Sequence, residues 1–338
     1  MNIRKIWRKK LFLLSFTIFF ISYLIIKPYI NFINQNLKIS LIKTLLERNN
    51  LKTYKNQVNI LILGIGGTNH EGPNLSDSIT VVNYNFNKNE LSSITLPRDI
   101  WSETLENKIN AAYALGELKL PNKGGLLLAK AEIGAVVGLP IHYVIVIDFN
   151  IFKNLIDFLG GIDVKVENSF IDKKFPITGK ENDLCSNNND FSCRYETIVF
   201  NKGINHMNGE TALKFVRSRN AEGKEGTDFA RIKRQQKVLE ALKVKIINLI
   251  KTFNLKKYQQ FYSLIDRNVK RDITNQQLAI ILKNIVFKKN FQQKQIVLEE
   301  DFFINPPLTS NKYYGLWVLI PPEENYSKIH QFIKEKLN

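Results

Sequence analysis

The stretch FVRSRNAEGKEGTDFARIKRQQKVL (215–239) holds Arg217, Arg219, Arg231 and Arg234. A guanidinium donates two parallel hydrogen bonds to phosphate oxygens, which an ammonium cannot do. Arg217 and Arg219 are two apart, so on an extended segment they point the same way. Arg231, Arg234 and Gln235 are three and four apart, the spacing of neighbours on one helical face. That face borders an apolar stripe of Phe229, Ile232, Leu239, Leu242, Ile246 and Ile250, which places the guanidiniums at the rim of a core. Asp228 stands where a helix N-cap belongs, and the positive helix end would strengthen the arginine field. The competing reading, a solvated basic face, predicts Lys and Glu four residues apart rather than Arg and Gln beside a packing seam.

A second basic element is LPRDIW, in which Arg98 and Asp99 close an otherwise apolar strand; strand ends are where α/β folds place working groups. KIN (108–110) follows. Upstream, GIGGTNHEGPNLSDS offers Gly64, Gly66 and Gly67, then His70, Glu71 and Asp77. It lacks the third glycine and the ensuing helix of a dinucleotide fingerprint, and its HEG is no zinc-protease motif. Backbone amides near an anion, with one or two carboxylates for a hard cation, suit it better. No Ser-His-Asp set or activated Cys points to a covalent intermediate.

The elements that must position these groups alternate between strand and helix patterns. QVNILILGIGG, SITVVNYNF, LSSITL and HYVIVIDF read as strands. NKINAAYALG, AKAEIGAVVGL and the run from 228 to 250 read as helices. The fold class is α/β, a mixed central β-sheet flanked by helices. Residues 57–254 form the main domain and 255–338 a small α/β tail, with a helix at NQQLAIILKNIVF, a strand at YYGLWVLIPP and a terminal helix. Before the domain, residues 1–10 are basic and residues 11–26 are uncharged; with Lys27 snorkelling and Ile30 extending the run, 11–30 reads as a transmembrane signal-anchor. No small-residue cleavage site ends it. The basic flank places the N-terminus in the cytoplasm and the body outside the cell membrane, on a short helical stalk of 31–56. The two cysteines, Cys185 and Cys193, share one Asn-rich segment, where in an oxidising compartment they would close a loop; the alternative is two unrelated surface thiols. A net charge of +17, to which Arg4, Lys5, Arg8, Lys9 and Lys10 contribute five, favours anionic partners. An extracytoplasmic body without interleaved aromatic and basic residues argues against nucleic acid.

Taken in order, ILILGIGG, LSDS, LPRDIW, KIN, GGIDVKV, MNGETALKFVRSRN and TDFARIKRQQ resemble the LytR-CpsA-Psr family of bacterial cell-envelope proteins, over about residues 57–250. The resemblance implies a membrane-anchored phosphotransferase. It would move a glycopolymer from a polyprenyl-pyrophosphate carrier to peptidoglycan or another envelope acceptor, with pyrophosphate hydrolysis as a side reaction. It implies pyrophosphate contacts from Arg98, Arg217, Arg219, Arg231, Arg234 and Gln235. Asp77, Arg98, Asp99 and Arg219 become the catalytic set, Asp77 the ligand of Mg2+ or another divalent cation and a candidate base. Two positions depart from the family pattern. Gly66-Gly67-Thr68 replaces an Asp-x-Arg, and Leu75 replaces the Arg of its RSD. His70 and Glu71 are the substitutes nearest at hand for the absent carboxylate. The departure supports a second reading, a non-catalytic polyprenyl-phosphate-binding or regulatory protein on the same fold.

Overall fold

The structure, a computed structural model, describes residues 3–46, 51–68, 72–180, 183–185, 190–287 and 291–338. Helix α1 (Ile3–Asn31) carries the apolar run and passes through a wider π-helical turn at Phe32–Asn36. It is long and apolar enough to cross a membrane: 29 residues span about 44 Å at about 1.5 Å each. The segment expected as a stalk does not stand clear of the body. Asn275 Nδ2 donates to Leu37 O at 3.0 Å and Ser40 N to Gln276 Oε1 at 2.7 Å. Helix α2 (Leu41–Leu46) then runs beside the segment carrying Asn275 and Gln276, with Gln276 Nε2 donating to Thr44 Oγ1.

The central sheet grows from β1 (Gln57–Ile65), whose near-continuous apolar run fits a strand covered on both faces. Strand β2 (Ser76–Asn85) pairs antiparallel to it with Leu61 opposite Val81, and β3 (Glu90–Leu96) pairs antiparallel to β2. A small ladder of β4 (Trp101–Ser102) and β5 (Asn107–Lys108) leads into α3 (Ala112–Lys119) and α4 (Gly124–Val137). Strand β6 (Tyr143–Asp148) returns parallel to β1, with Ile65 opposite Asp148. On one face Leu61, Leu63, Val81, Ile94, Val144 and Val146 pack against α3 and α4 in the main core.

A second core gathers α5 (Phe149–Phe158), β7 (Ile162–Val166), β8 (Phe170–Pro176), β9 (Tyr195–Phe200), β10 (Gly203–Met207), α6 (Gly209–Arg217) and α7 (Asp228–Lys251). Between β8 and β9, Cys185 and Cys193 form a disulfide. The apolar stripe expected on α7 holds for Ile232 and Leu242, but Leu239 and Ile250 are 53% and 61% exposed. The helix is capped by Thr227, whose Oγ1 accepts from Ala230 N at 3.1 Å, one residue before the expected Asp228.

The chain beyond residue 255 is woven into the central sheet. After α8 (Leu255–Asp266), β11 (Lys270–Arg271) pairs with β6. After α9 (Asn275–Phe287), β12 (Gln292–Val297) pairs parallel to β3. The sheet order is β11-β6-β1-β2-β3-β12, so both edges come from this segment. Helix α10 (Ser327–Leu337) seals the main core with Ile329, Ile333 and Leu337. The strand expected at YYGLWVLIPP reduces to bridges from Leu319 to Ile100 and from Ile320 to Ile304. Left-handed Tyr314 and Gly315 precede these bridges and Pro321 follows, which leaves no room for a longer ladder.

Helices α3 and α4 meet backbone to backbone: a Cβ on Gly116 would strike Gly124 O and lie 2.7 Å from Gly125 Cα. Gly→Ala in a free helix stabilises by about 1 kcal/mol. Here Gly116→Ala is expected to destabilise by about 1–3 kcal/mol through overpacking, read as a lower midpoint in thermal denaturation.

Candidate active site

The two faces of the sheet are filled differently. Opposite the main core, β1 to β3 present Gly64, Ser78, Thr80, Ser93 and Thr95, side chains too small to fill the space beneath α7. The space left between sheet and helix is a cavity of about 430 Å³. Its walls are apolar along Ile62, Val82, Leu91, Phe152, Leu213 and Val238, and charged at one end.

At that end lie Asp77, Arg98, Asp148, Arg217, Arg219, Arg231 and Gln235. Arg98, at the end of β3, pairs through Nη1 with Asp77 Oδ1. Arg217 is the last residue of α6, with its guanidinium 4.9 Å from the Phe149 ring centre and 5.6 Å from that of Phe175. Arg219 reaches the cavity from the extended turn beyond, and no acid pairs with it among the described residues. Arg231 and Gln235 come from α7; Ser78 Oγ donates to Gln235 Oε1 at 3.3 Å and closes that end against β2. Four guanidiniums thus face two carboxylates, an imbalance that favours a multiply charged anion.

Three expected residues lie elsewhere or beyond description. Asp99 is buried behind the cavity, where its Oδ1 takes Lys108 Nζ at 2.7 Å and its Oδ2 lies 3.5 Å from Arg98 Nε. It positions Arg98 rather than facing the cavity. His70 and Glu71 fall outside the described residues.

Arg234 also turns away, although Arg231 and Gln235 on the same helix face the cavity. Its Nε donates to Phe215 O at 3.0 Å, its Nη1 to Glu225 O at 2.9 Å and Glu225 Oε2 at 3.1 Å, and its Nη2 to Ser218 O. Burial pulls its pKa down to about 10 while Glu225 opposes the shift, so it stays charged at neutral pH. The helical spacing of 231, 234 and 235 was legible in the sequence, but 234 is rotated toward the second core.

Two carboxylates that sequence reasoning passed over complete the arrangement. Asp172 on β8 is fully buried; Oδ2 accepts from Ser218 Oγ at 2.7 Å, Arg219 N at 3.3 Å and Asn220 N at 3.2 Å, and Oδ1 from Lys174 N. It fixes the turn that carries Arg219. Asp148, at the end of β6, caps α5 by accepting from Ile151 N at 2.7 Å and also lines the cavity. Gly67, at φ +78°, packs on it; a Cβ there would lie 2.9 Å from Asp148 Cβ. An acid ending an apolar strand was the available signal.

A profile of the LytR_cpsA_psr family matches residues 30–335. The chain belongs to that family. Among its relatives, the polyisoprenyl-teichoic acid–peptidoglycan teichoic acid transferase TagU of Bacillus cereus is 29% identical over 272 residues, which are 79% of this chain and 74% of that one. The crystal structure of Bacillus subtilis TagV superposes with a TM-score of 0.54 at 26% identity, over 84% of this chain and 98% of that one. A structure of TagT bound to LIIa-WTA has the same fold, with a TM-score of 0.54 at 20% identity over 85% and 94% of the two chains.

The donor set of this LytR_cpsA_psr chain fits a hard divalent cation. Among the described residues, no hydrogen bond uses Oδ2 of Asp77 or of Asp148, and magnesium binds through one or two carboxylates plus phosphate oxygens. The His/Cys/Asp/Glu group at Asp183, Cys185 and Cys193 is no such site, because both sulfurs are taken up in the disulfide.

The division of labour among the arginines has a stability signature. Arg234→Met, which strands Glu225 and three carbonyls, is expected to cost about 3–5 kcal/mol. Arg219→Met, at an exposed guanidinium, should shift stability by less than about 1 kcal/mol. Denaturant unfolding of the two variants checks this.

Proposed function

We propose that this chain is a membrane-anchored phosphotransferase that moves a glycopolymer from a polyprenyl-pyrophosphate carrier to peptidoglycan or another envelope acceptor. The observation that carries the reading is the amphiphilic character of one cavity, with an arginine-lined end continuous with an apolar bore. A lipid-linked pyrophosphate has that same division. The names of the relatives, teichoic acid transferases, support a phosphate-linked glycopolymer as substrate.

Arg98, Arg217, Arg219 and Arg231 would hold the pyrophosphate and neutralise charge that grows as its bridging bond breaks. The acceptor hydroxyl oxygen bonds to the phosphorus that carries the glycopolymer. The bond from that phosphorus to the bridging oxygen breaks, polyprenyl phosphate leaves, and Asp77 is the carboxylate placed to take the hydroxyl proton. Asp77 and Asp148 would hold a divalent cation, which supplies further charge neutralisation when bound.

On this reading the body lies outside the cell membrane and the N-terminus in the cytoplasm. The basic residues before the apolar run and the Cys185–Cys193 disulfide support that orientation. The loss of the family's Asp-x-Arg at Gly66-Gly67-Thr68 favours the second reading, a binding protein without turnover.

The test uses the full chain in vesicles with a polyprenyl-pyrophosphate-linked glycopolymer, magnesium and peptidoglycan, and measures polyprenyl phosphate released. Turnover is expected, and Arg98→Ala or Arg219→Ala should lower it about 10²–10³-fold. Lipid binding without turnover would replace the enzyme with the binding protein.

A further inference from the structure

The second half of α7 and Phe253, two residues past its end, carry apolar side chains that stay exposed among the described residues. Val244, Ile247, Ile250 and Phe253 are 57%, 41%, 61% and 79% exposed. Lys243 and Lys251 lie among them, the composition of a helix face whose long basic side chains reach up from an apolar surface.

The position of this face in the molecule says what lies against it. Tyr29, near the end of α1, donates its hydroxyl to Phe253 O. The Tyr29 ring stands edge-on to Tyr258 at 6.4 Å, and Phe32 edge-on to Tyr262 at 6.1 Å. The end of α7 is therefore bolted to the point where the apolar helix leaves its span, with tyrosines at the level where membrane proteins place them. From Ile247 to its end at Lys251 the helix rises about 6 Å, comparable to the depth of a bilayer's polar interface of about 5–7 Å on each side. The bolt leaves no stalk to lift the face clear.

The same end of α7 closes the cavity. Lys243 Nζ donates to Gln293 Oε1 at 2.7 Å, and Gln295 Nε2 to Glu240 Oε1 at 3.1 Å. These two bonds join α7 to the edge strand β12 at the end of the cavity away from the arginines. Just beyond them, Val244 and Ile247 line a smaller hollow that shares the four bonded residues. Side-chain bonds between a helix and an edge strand open without loss of a backbone ladder.

We propose that the face from Val244 to Phe253 is seated in the outer leaflet of the bilayer, and that the gap between α7 and β12, latched by Lys243–Gln293 and Glu240–Gln295, is the port through which a prenyl chain passes between membrane and cavity. The port rests on the functional reading above; the seated face does not. A lipid surface is the occupant because the face is continuous with the anchored span.

The full chain is reconstituted in vesicles with its native cysteines kept in their disulfide, and a polarity-sensitive fluorophore is attached at Ile250→Cys or Phe253→Cys. Leu118→Cys, exposed on α3 on the opposite face of the sheet, is the reference. Blue-shifted emission at 250 and 253, quenched by lipids labelled high on the acyl chain, is expected, with neither effect at 118. Emission at all three positions as from water would overturn the seated face. A blue shift that lipid leaves unquenched and that weakens on dilution with unlabelled chain would replace the membrane with a second copy. For the port, Lys243→Cys with Gln293→Cys is bridged by a short bis-maleimide. The bridge should block uptake of a long-chain polyprenyl pyrophosphate from the vesicle and leave binding of a short, water-soluble prenyl pyrophosphate unchanged. Loss of both, or of neither, overturns the port. If the unbridged chain binds neither lipid, the functional reading and the port fall together, while the fluorescence decides the face independently.

Discussion

The guanidinium of Arg234 holds the charged end together. It lies buried at the crossing of α6 and α7 and binds carbonyl oxygens of Phe215, Ser218 and Glu225, with the Glu225 carboxylate as counter-charge. Helix α6 ends there with carbonyls that have no partner in the helix, and a cation is the natural group to satisfy them. From this knot the chain leaves in two directions, one carrying Arg217 and Arg219, the other Arg231 and Gln235. Asp172 meets the same turn, accepting hydrogen bonds from the amides of Arg219 and Asn220. The AEGKEGT segment between the basic stretches, which looks like free loop, is pinned by Glu225. One arginine is thus spent on structure so that the others can face the cavity.

The cavity depends on a different constraint, the volume of side chains on one face of the sheet. Alternate residues of β2 and β3 go to opposite faces, so Ile79, Val81, Ile94 and Leu96 fill one side while Ser78, Thr80, Ser93 and Thr95 underfill the other. Close packing on the first face makes the sheet rigid enough to leave the second open. The helix AKAEIGAVVGL, with its small residues, belongs to the filled side; the open bore runs under α7.

The long apolar helix and the cavity are linked by the docking of α1. Because Tyr29 and Phe32 pack on α8 and the end of α7, the orientation of the body relative to α1 is set by packing rather than by a flexible tether. The arginine end of α7 then lies far from the end docked on α1: Arg231 and Lys251 are 20 residues apart, about 30 Å along the helix.

By itself the sequence determined the α/β class, the long apolar helix, the family resemblance and most of the arginines that meet at the cavity, because these are local. Strand alternation, an uncharged run and arginines at helical spacing are written within a few residues of one another. The disulfide was legible for the same reason, two cysteines in one polar loop. What only the tertiary structure decided depends on contacts between distant segments. Arg234 and Arg231 share a helix and a residue type, and only the crossing with α6 turns one inward and leaves the other at the cavity. Asp148 read as a strand end until its parallel pairing with β1 set it beside Gly67. Residues 255–338 read as a tail because each of their strands is short, and they became both edges of the sheet when backbone hydrogen bonds across the fold supplied partners that no local pattern encodes.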